Sequence, residues 1–477
     1  VGIAQYKGIR PYTLNLRPFT GSVFVSLSPT RISAFNTQGS RKMANNRTCD
    51  GMVRRDVLRA GLLGIGGLTL VDHLRLDAAG AIAARPKAER AIFVELSGGP
   101  SHLDTFDLKP EAPDNIRGKF RPIKTNVEGV EISEHLPLLA SCADKYAILR
   151  GVSHTLAAHE LGREYVNTGN RPIPSLSYPG YGSVVARELT TPPDIPANVA
   201  IPRVAQGPGF LGLKYAALET NSTPLPGQNY SVRGLTLGGG VTLDEIERRQ
   251  SLLAKLDRRF ANIESDRQLL EGLDQFGSQA YAMITSKRAR EAFDIGKEDP
   301  AFVKQFGQDP FGLSCLLALR LVESGVRYVT VQFGGWDTHQ DNFTRLSTQL
   351  LPKLDQGLAG LFKGLSQRGL LDSTAVLVSG EFGRTPKINE RSVEGGRDHY
   401  PRCMFMLMAG GGVRGGQVIG KSDATASAPA HEAYSPDDVA ASFYHNLGID
   451  PSIEYQSETG RPITLVRNGK VIEQLFS

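Results

Sequence analysis

Val326-Arg327-Tyr328-Val329-Thr330-Val331-Gln332-Phe333 runs directly into Gly334-Gly335-Trp336-Asp337-Thr338-His339. The first eight residues are short, β-branched and bounded by glycine, the pattern of a strand buried on both faces of a parallel sheet. The next six change character at once, placing an acid and an imidazole just past the strand. In open α/β sheets ligands bind beyond the carboxyl ends of the strands. The stretch therefore predicts both a fold class and the edge on which a site should lie.

Two further segments repeat the arrangement. Ala375-Val376-Leu377-Val378-Ser379 leads into Gly380-Glu381-Phe382-Gly383-Arg384-Thr385-Pro386, and Gly396-Arg397-Asp398-His399-Tyr400-Pro401 follows within a few residues. Upstream, Ala91-Ile92-Phe93-Val94-Glu95-Leu96 reads as the first strand, ending at Ser97-Gly98-Gly99, and 146–150 as a second. Helical patterns over 311–324 and 343–368 alternate with strands at 326–333 and 374–379, as βαβ units demand. A last strand is expected at 404–408. Residues 170–240 are rich in Pro and Gly and read as long loops with short strands. Residues 242–294 read as a helical insertion, with Thr242 and Glu245 spaced as a capping box. The expected architecture is α/β, a doubly wound, mostly parallel sheet sandwiched by helices.

The totals bound the function. With 477 residues the chain can bury a large core. Its net charge of +5 is a local effect, because residues 1–60 hold ten Lys and Arg against Asp50 and Asp56. The remainder carries 44 basic against 47 acidic residues, which gives no electrostatic footprint for nucleic acid. Arg54-Arg55 precedes a short, glycine-rich apolar stretch, 60–70, and Ala81-Ile82-Ala83 offers a cleavage pattern. This resembles a twin-arginine export signal over 52–84, and implies a periplasmic or extracellular protein. An amphipathic helix with a basic start is the plainer alternative. The apolar stretch is too short for a stable membrane span. Residues 1–51 are expected to be a disordered leader, with Met43 or Met52 as a natural start. Past the signal, Cys142, Cys315 and Cys403 form no disulfide framework and no CxxC zinc pattern.

Asp337 and His339 are two apart, so on extended backbone both side chains can face one divalent metal. Three protein donors plus water is the usual catalytic zinc arrangement, and His399 is the candidate third donor. Glu381 sits directly past a strand, and Arg384 offers a planar fork for phosphate or sulfate. His154, His159 and Arg163 add polar groups, with His159 and Arg163 on one helix face. Each has a plainer alternative: Asp337 as a helix cap, Glu381–Arg384 as a structural salt bridge, His399 as a turn residue, and His159–Arg163 as a solvated face.

Taken together, the arginine pair, Leu96-Ser97-Gly98-Gly99-Pro100-Ser101-His102, Gly-Gly-Trp-Asp-Thr-His, Gly-Glu-Phe-Gly-Arg-Thr-Pro and Gly-Arg-Asp-His-Tyr-Pro resemble a family of exported bacterial proteins. It is known as domain of unknown function 1501 and is grouped with the alkaline phosphatases and sulfatases. The resemblance covers Arg54 to the C-terminus, with residues 88–477 as a single domain. It implies hydrolysis of phosphate or sulfate esters with metal at the strand ends. Asp337, His339 and His399 resemble one metal's ligands. The second metal's usual Asp-His pair is replaced by Glu381-Phe382, so one ion is expected in place of two, with Glu381 as a further ligand, unless Glu381 recruits His102 or Asp104 for a second. Zinc, manganese, iron and calcium all suit such donors. Arg163 and Thr168-Gly169 match the segment that follows the nucleophile in sulfatases, which puts His159 in the nucleophile's place. Histidine there can form a phosphoryl intermediate, act as a base, or bind metal.

The expected function is an exported, metal-dependent hydrolase of phosphate or sulfate esters, acting on a small molecule or a polysaccharide. Metal-activated water or His159 would attack while Arg163 and Arg384 hold the oxyanion. The alternative is a binding or assembly protein on the same fold that has lost hydrolysis.

Overall fold

The computed structural model describes residues 88–232, 282, 286–431, 433–457 and 460–477. The leader and export-signal readings over 1–51 and 52–84 lie outside the described residues, as does most of the insertion expected at 242–294. Of that insertion the helix Lys287–Phe293 is described.

Eight strands form the central sheet: β1 Arg90–Glu95, β2 Tyr146–Val152, β3 Asn198–Ile201, β4 Leu218–Glu219, β5 Tyr328–Gln332, β6 Thr374–Ser379, β7 Met404–Ala409 and β8 Val418–Ile419. Their spatial order is β8-β2-β7-β6-β1-β5-β3-β4. β1 lies between β5 and β6 and is parallel to both, with Glu95 level with Gln332 on one side and Ser379 on the other. Three carboxyl ends thus open on one edge, as the strand patterns predict. β7 runs against both β6 and β2. The chain between β6 and β7 holds no crossover helix; the short antiparallel pair of Gly383–Arg384 with His399–Tyr400 folds it straight back. Reversal of β7 brings the residues before it to that same edge, and the end of β2 arrives there too.

Side chains alternate between two cores, which is why the strands read as unbroken apolar runs. Ile92, Val94, Val376, Val378, Phe405 and Leu407 face one layer, which includes α3 Pro310–Glu323 and α4 Leu351–Gln367. Ala91, Phe93, Ala375, Leu377, Met406 and Met408 face the other, with α2 Tyr181–Glu188 and α5 Pro436–Asn446. Asp309 caps α3 by accepting the Phe311 and Gly312 N–H groups. Between α3 and α4 the helix expected from residue 343 is broken into Asn342–Arg345, a π turn over Leu346–Leu350, and α4. Pro352 has no N–H to give, and the wider turn accommodates that loss. Residues 170–240, read as long loops with short strands, hold the short buried strand β3 and, unlike that reading, the helix α2. Proline and glycine flank these elements on both sides and mask their short periodic cores. Among the described residues no helix is long and apolar enough to cross a membrane.

Candidate metal centre

The loop after β5 is held by its own apolar anchor. Trp336 is fully buried, edge-on to Phe333, which stacks on Phe311 of α3 at 4.3 Å. Beside it the loop after β1 passes so closely that a Cβ on Gly98 would lie 2.4 Å from the Asp337 nitrogen, and Gly98 has φ +115°. Only glycine fits that approach. The result fixes Asp337 at the open edge with its side chain 44% exposed.

Three histidines converge on this carboxylate, each oriented by a partner at Nδ1. His159 opens α1, His159–Thr168, which ends in the left-handed cap Gly169. Its Nδ1 lies 2.6 Å from Glu381 Oε1, and its Nε2 lies 3.4 Å from Asp337 Oδ2. His399 directs Nδ1 to the Ala157 carbonyl at 2.9 Å and Nε2 to Asp337 Oδ1 at 3.2 Å. His339 has Nδ1 2.6 Å from Asp398 Oδ1, and Nε2 3.1 Å from Asp337 Oδ1 and 3.0 Å from His399 Nε2. Donor atoms of His159, Asp337 and His399 all lie within 4.8 Å of one another.

This donor set fits a divalent cation. A carbonyl only accepts, so His399 must carry its proton on Nδ1. Burial holds the His399 pKa below the ordinary imidazole value, leaving Nε2 a bare lone pair. That lone pair faces a carboxylate oxygen at 3.2 Å, two acceptors together, a contact that a cation between them turns from repulsive to attractive. Tetrahedral donors about 2.0–2.2 Å from a shared ion sit roughly 3.3–3.6 Å apart, close to the spacings found here. The partners at Nδ1 are the second layer that metal-binding histidines require. Partial burial works to raise the Asp337 pKa, but the hydrogen bond and charge of Arg384, with help from His339, outweigh it and hold it to about 2. Asp337 is therefore ionised throughout the neutral range.

Glu381 stands differently from the sequence expectation. It is 2% exposed, and both carboxylate oxygens accept the Gly98 N–H, at 3.0 and 3.1 Å. It orients His159 in place of joining the cluster of mutually close donors. His159, assigned the nucleophile's place by resemblance, lies within that cluster. Its pKa is raised, chiefly by the hydrogen bond to Glu381. His154 holds the same loop from beneath: its Nε2 meets the Glu381 carbonyl at 2.8 Å, and burial lowers its pKa to about 4. Phe382, which has no donor atom to offer a metal, packs against His399 and His159 with ring centroids 4.6 and 5.1 Å away.

The arginines divide sharply. Arg384 is fully buried and gives its N–H groups to the carbonyls of Gly98, Gly99 and Arg397 and to Asp337 Oδ1 at 2.6 Å. The open fork expected for a substrate oxyanion is thus already committed to Asp337 and three loop carbonyls. Arg163 is 30% exposed, with Nε 3.3 Å from Glu95 Oε1 and Nη2 3.9 Å from Glu381 Oε1. Burial raises the Glu95 pKa to about 7, and the nearby Glu381 adds to the effect against Arg163. Arg397 is also fully buried and binds Asp104 through Nε at 2.8 Å and Nη2 at 3.1 Å. Asn342 links Asp104 to Thr338. A closed set of hydrogen bonds thus ties the segment holding Asp337 and His339 to the segment holding Asp398 and His399.

Asp398 was not singled out from sequence. Asp104 and His102, weighed only as partners of Glu381 in a second metal site, are instead held by Arg397 and by the Ala426 carbonyl. Asp398 is next to His399 in the motif itself, and that adjacency was the available signal. Asp104 is paired with residues more than two hundred positions away, which no local pattern reveals.

The sheet topology and the donors at its edge define a doubly wound, mostly parallel α/β protein with a His–Asp–His cluster able to hold a metal ion. The chain belongs to the family described as "Protein of unknown function (DUF1501)", whose model matches residues 88–476. Similar solved structures share 10–12% identity. Ps i-CgsB in complex with k-i-k-neocarrahexaose has a TM-score of 0.36 at 12% identity, covering 76% of this chain and 72% of that one. The lipoteichoic acid synthase LtaP from Listeria monocytogenes has 0.37 at 10%, covering 80% and 75%. A protein in the alkaline phosphatase superfamily from Vibrio parahaemolyticus has 0.33 at 10%, covering 77% and 68%. No curated protein matches the chain.

Proposed function

We propose that this protein is an exported, metal-dependent hydrolase of phosphate or sulfate monoesters, carried by small molecules or polysaccharides. The observation that carries the reading is the convergence of three imidazole Nε2 atoms on Asp337, each imidazole held at Nδ1 by its own partner. Asp337, His159 and His399 would bind one ion, zinc, manganese, iron or calcium, with His339 as a fourth donor. When bound, such an ion polarises the ester's oxyanion and lowers the pKa of water so that it attacks at neutral pH. The chain's own residues supply the rest. Glu381 keeps the His159 proton on Nδ1, Asp398 does the same for His339, and Arg384 keeps Asp337 ionised and aimed. Arg163, partly exposed beside Glu381, stays available to an anionic substrate.

A covalent route through cysteine has no support in the described residues. Cys142, Cys315 and Cys403 are all buried, and burial pushes each thiol up, to about 12 for Cys142 and Cys403. With cysteine excluded and His159 counted among the ion's ligands, water is the favoured attacking group. The test is a screen of phosphate and sulfate monoesters with the full chain, with and without added divalent metal. Metal-dependent turnover of either class supports the reading. Bound metal without turnover of any ester favours a binding or assembly protein on the same fold.

A further inference from the structure

We propose that Arg391, on the loop 389–396, is the side chain that recognises the substrate's anionic group at the mouth of the metal centre; this rests on the hydrolase reading above. Five arginines stand close to the site. Arg384 and Arg397 are fully buried with their donors committed. Arg345 spends its two terminal nitrogens on the carbonyls of Asp337 and Gly335. Arg163 faces Glu95 and Glu381. Arg391 is the most exposed of the three whose exposure bears on access, at 54%, and its Nη1 lies 3.4 Å from His339 Nδ1.

Its present hold is an ion pair to an oxygen that already accepts two hydrogen bonds. Asp398 Oδ1 hydrogen-bonds His339 Nδ1 at 2.6 Å and Asn389 Nδ2 at 3.3 Å, while Arg391 Nη2 lies 3.1 Å away as an ion pair. Those two donors take up the two lone pairs of the carboxylate oxygen. The Arg391 guanidinium can leave without disturbing the His339–Asp398 pair, because Asn389 also bonds the His339 carbonyl and holds the segment. The backbone around Arg391 is fixed. Its own N–H donates to Asn389 Oδ1, Asn389 pairs with Gly396, and Ser392 and Gly395 accept from Asp341 and Asn342. A hydrogen-bonded loop thus carries an exposed cation to the His339 side of Asp337, while Arg163 stands on the His159 side. The planar fork suits two oxygens of a tetrahedral phosphate or sulfate.

Inorganic phosphate and sulfate, titrated calorimetrically into the metal-loaded full chain, read this role without requiring turnover. Arg391→Ala should weaken anion binding about tenfold or more, the scale of a lost charge-assisted hydrogen bond. Arg391→Lys should restore part of it, with metal content and melting temperature unchanged in both variants. Where esters are hydrolysed, KM should rise more than kcat falls. Arg391→Ala that binds phosphate as the wild type does, or a wild type that binds neither anion, overturns the proposal. Unchanged anion binding alongside intact hydrolysis removes Arg391 alone; failure of all ester turnover with metal bound removes the hydrolase reading.

Discussion

Glu381 meets His159 Nδ1 at 2.6 Å and so decides which nitrogen of that ring faces Asp337. The contact joins the loop after β6 to the first turn of α1, and Glu381 is itself clamped by the Gly98 N–H. Replacing Glu381 by Gln removes the charge and allows the amide to present the wrong group to Nδ1. Metal affinity should fall about 10–100-fold, the usual cost of losing a partner behind a metal-binding histidine. Competition with a chelator measures it, and an unchanged affinity would show that His159 is not a ligand.

The buried pair Arg397–Asp104 should matter to the fold before it matters to chemistry. Asp104→Asn leaves a buried guanidinium short of its counter-charge, and breaking such a pair costs about 3–5 kcal/mol. Denaturant titration at neutral pH should show that loss. The segments carrying Asp337 and His399 should loosen with it, so metal affinity should drop as well.

His154 gives the acid limb of stability a definite sign. Its folded pKa, about 4, lies below the ordinary imidazole value, so between the two the unfolded chain binds a proton that the fold refuses. The contribution is complete above pH 6.5 and is lost as pH falls toward 4, on the order of 3 kcal/mol in all. His154→Gln can still donate to the Glu381 carbonyl but does not titrate. Its stability should therefore change less than the wild type's between pH 6.5 and 4.5. Glu95, with its pKa raised to about 7, works in the opposite direction, as its stabilisation falls when pH rises through 7. Because Glu95 is common to both proteins, the difference between the two profiles isolates His154. Parallel profiles would contradict the assignment.

The fold and the edge on which the site lies were legible because strand burial and glycine turns leave local marks. Ile92, Val329 and Leu377 sit in runs apolar on both faces, and Asp337 falls at the end that such a run predicts, whereas His399 reaches the same edge because β7 runs antiparallel to β6. What was not legible came from pairing across the chain. Glu381 and His159 are 222 residues apart, and nothing near either says that one carboxylate orients one imidazole. Arg384 looked like an open anion fork because its burial depends on the carbonyls of Gly98 and Gly99, which come from a different strand end. Arg391 lies in a polar loop that resembles any solvated turn until the His339–Asp398 pair is placed beside it.

The export proposal rests on Arg54-Arg55 and the weakly apolar segment after them. Replacing both arginines by Lys should hold full-length precursor inside the cell, detected by fractionation and immunoblotting. Normal export of the double variant would mean that these residues are not a twin-arginine signal.

The metal itself is the central claim, and elemental analysis of natively purified full-length protein tests it most directly. The expected result is about one divalent ion per chain in the wild type, none in Asp337→Ala, and a reduced complement in His339→Ala, with all three proteins folded. A folded wild type that holds no metal after supplementation with zinc, manganese, iron and calcium, or an Asp337→Ala variant that keeps its full complement, would contradict the account.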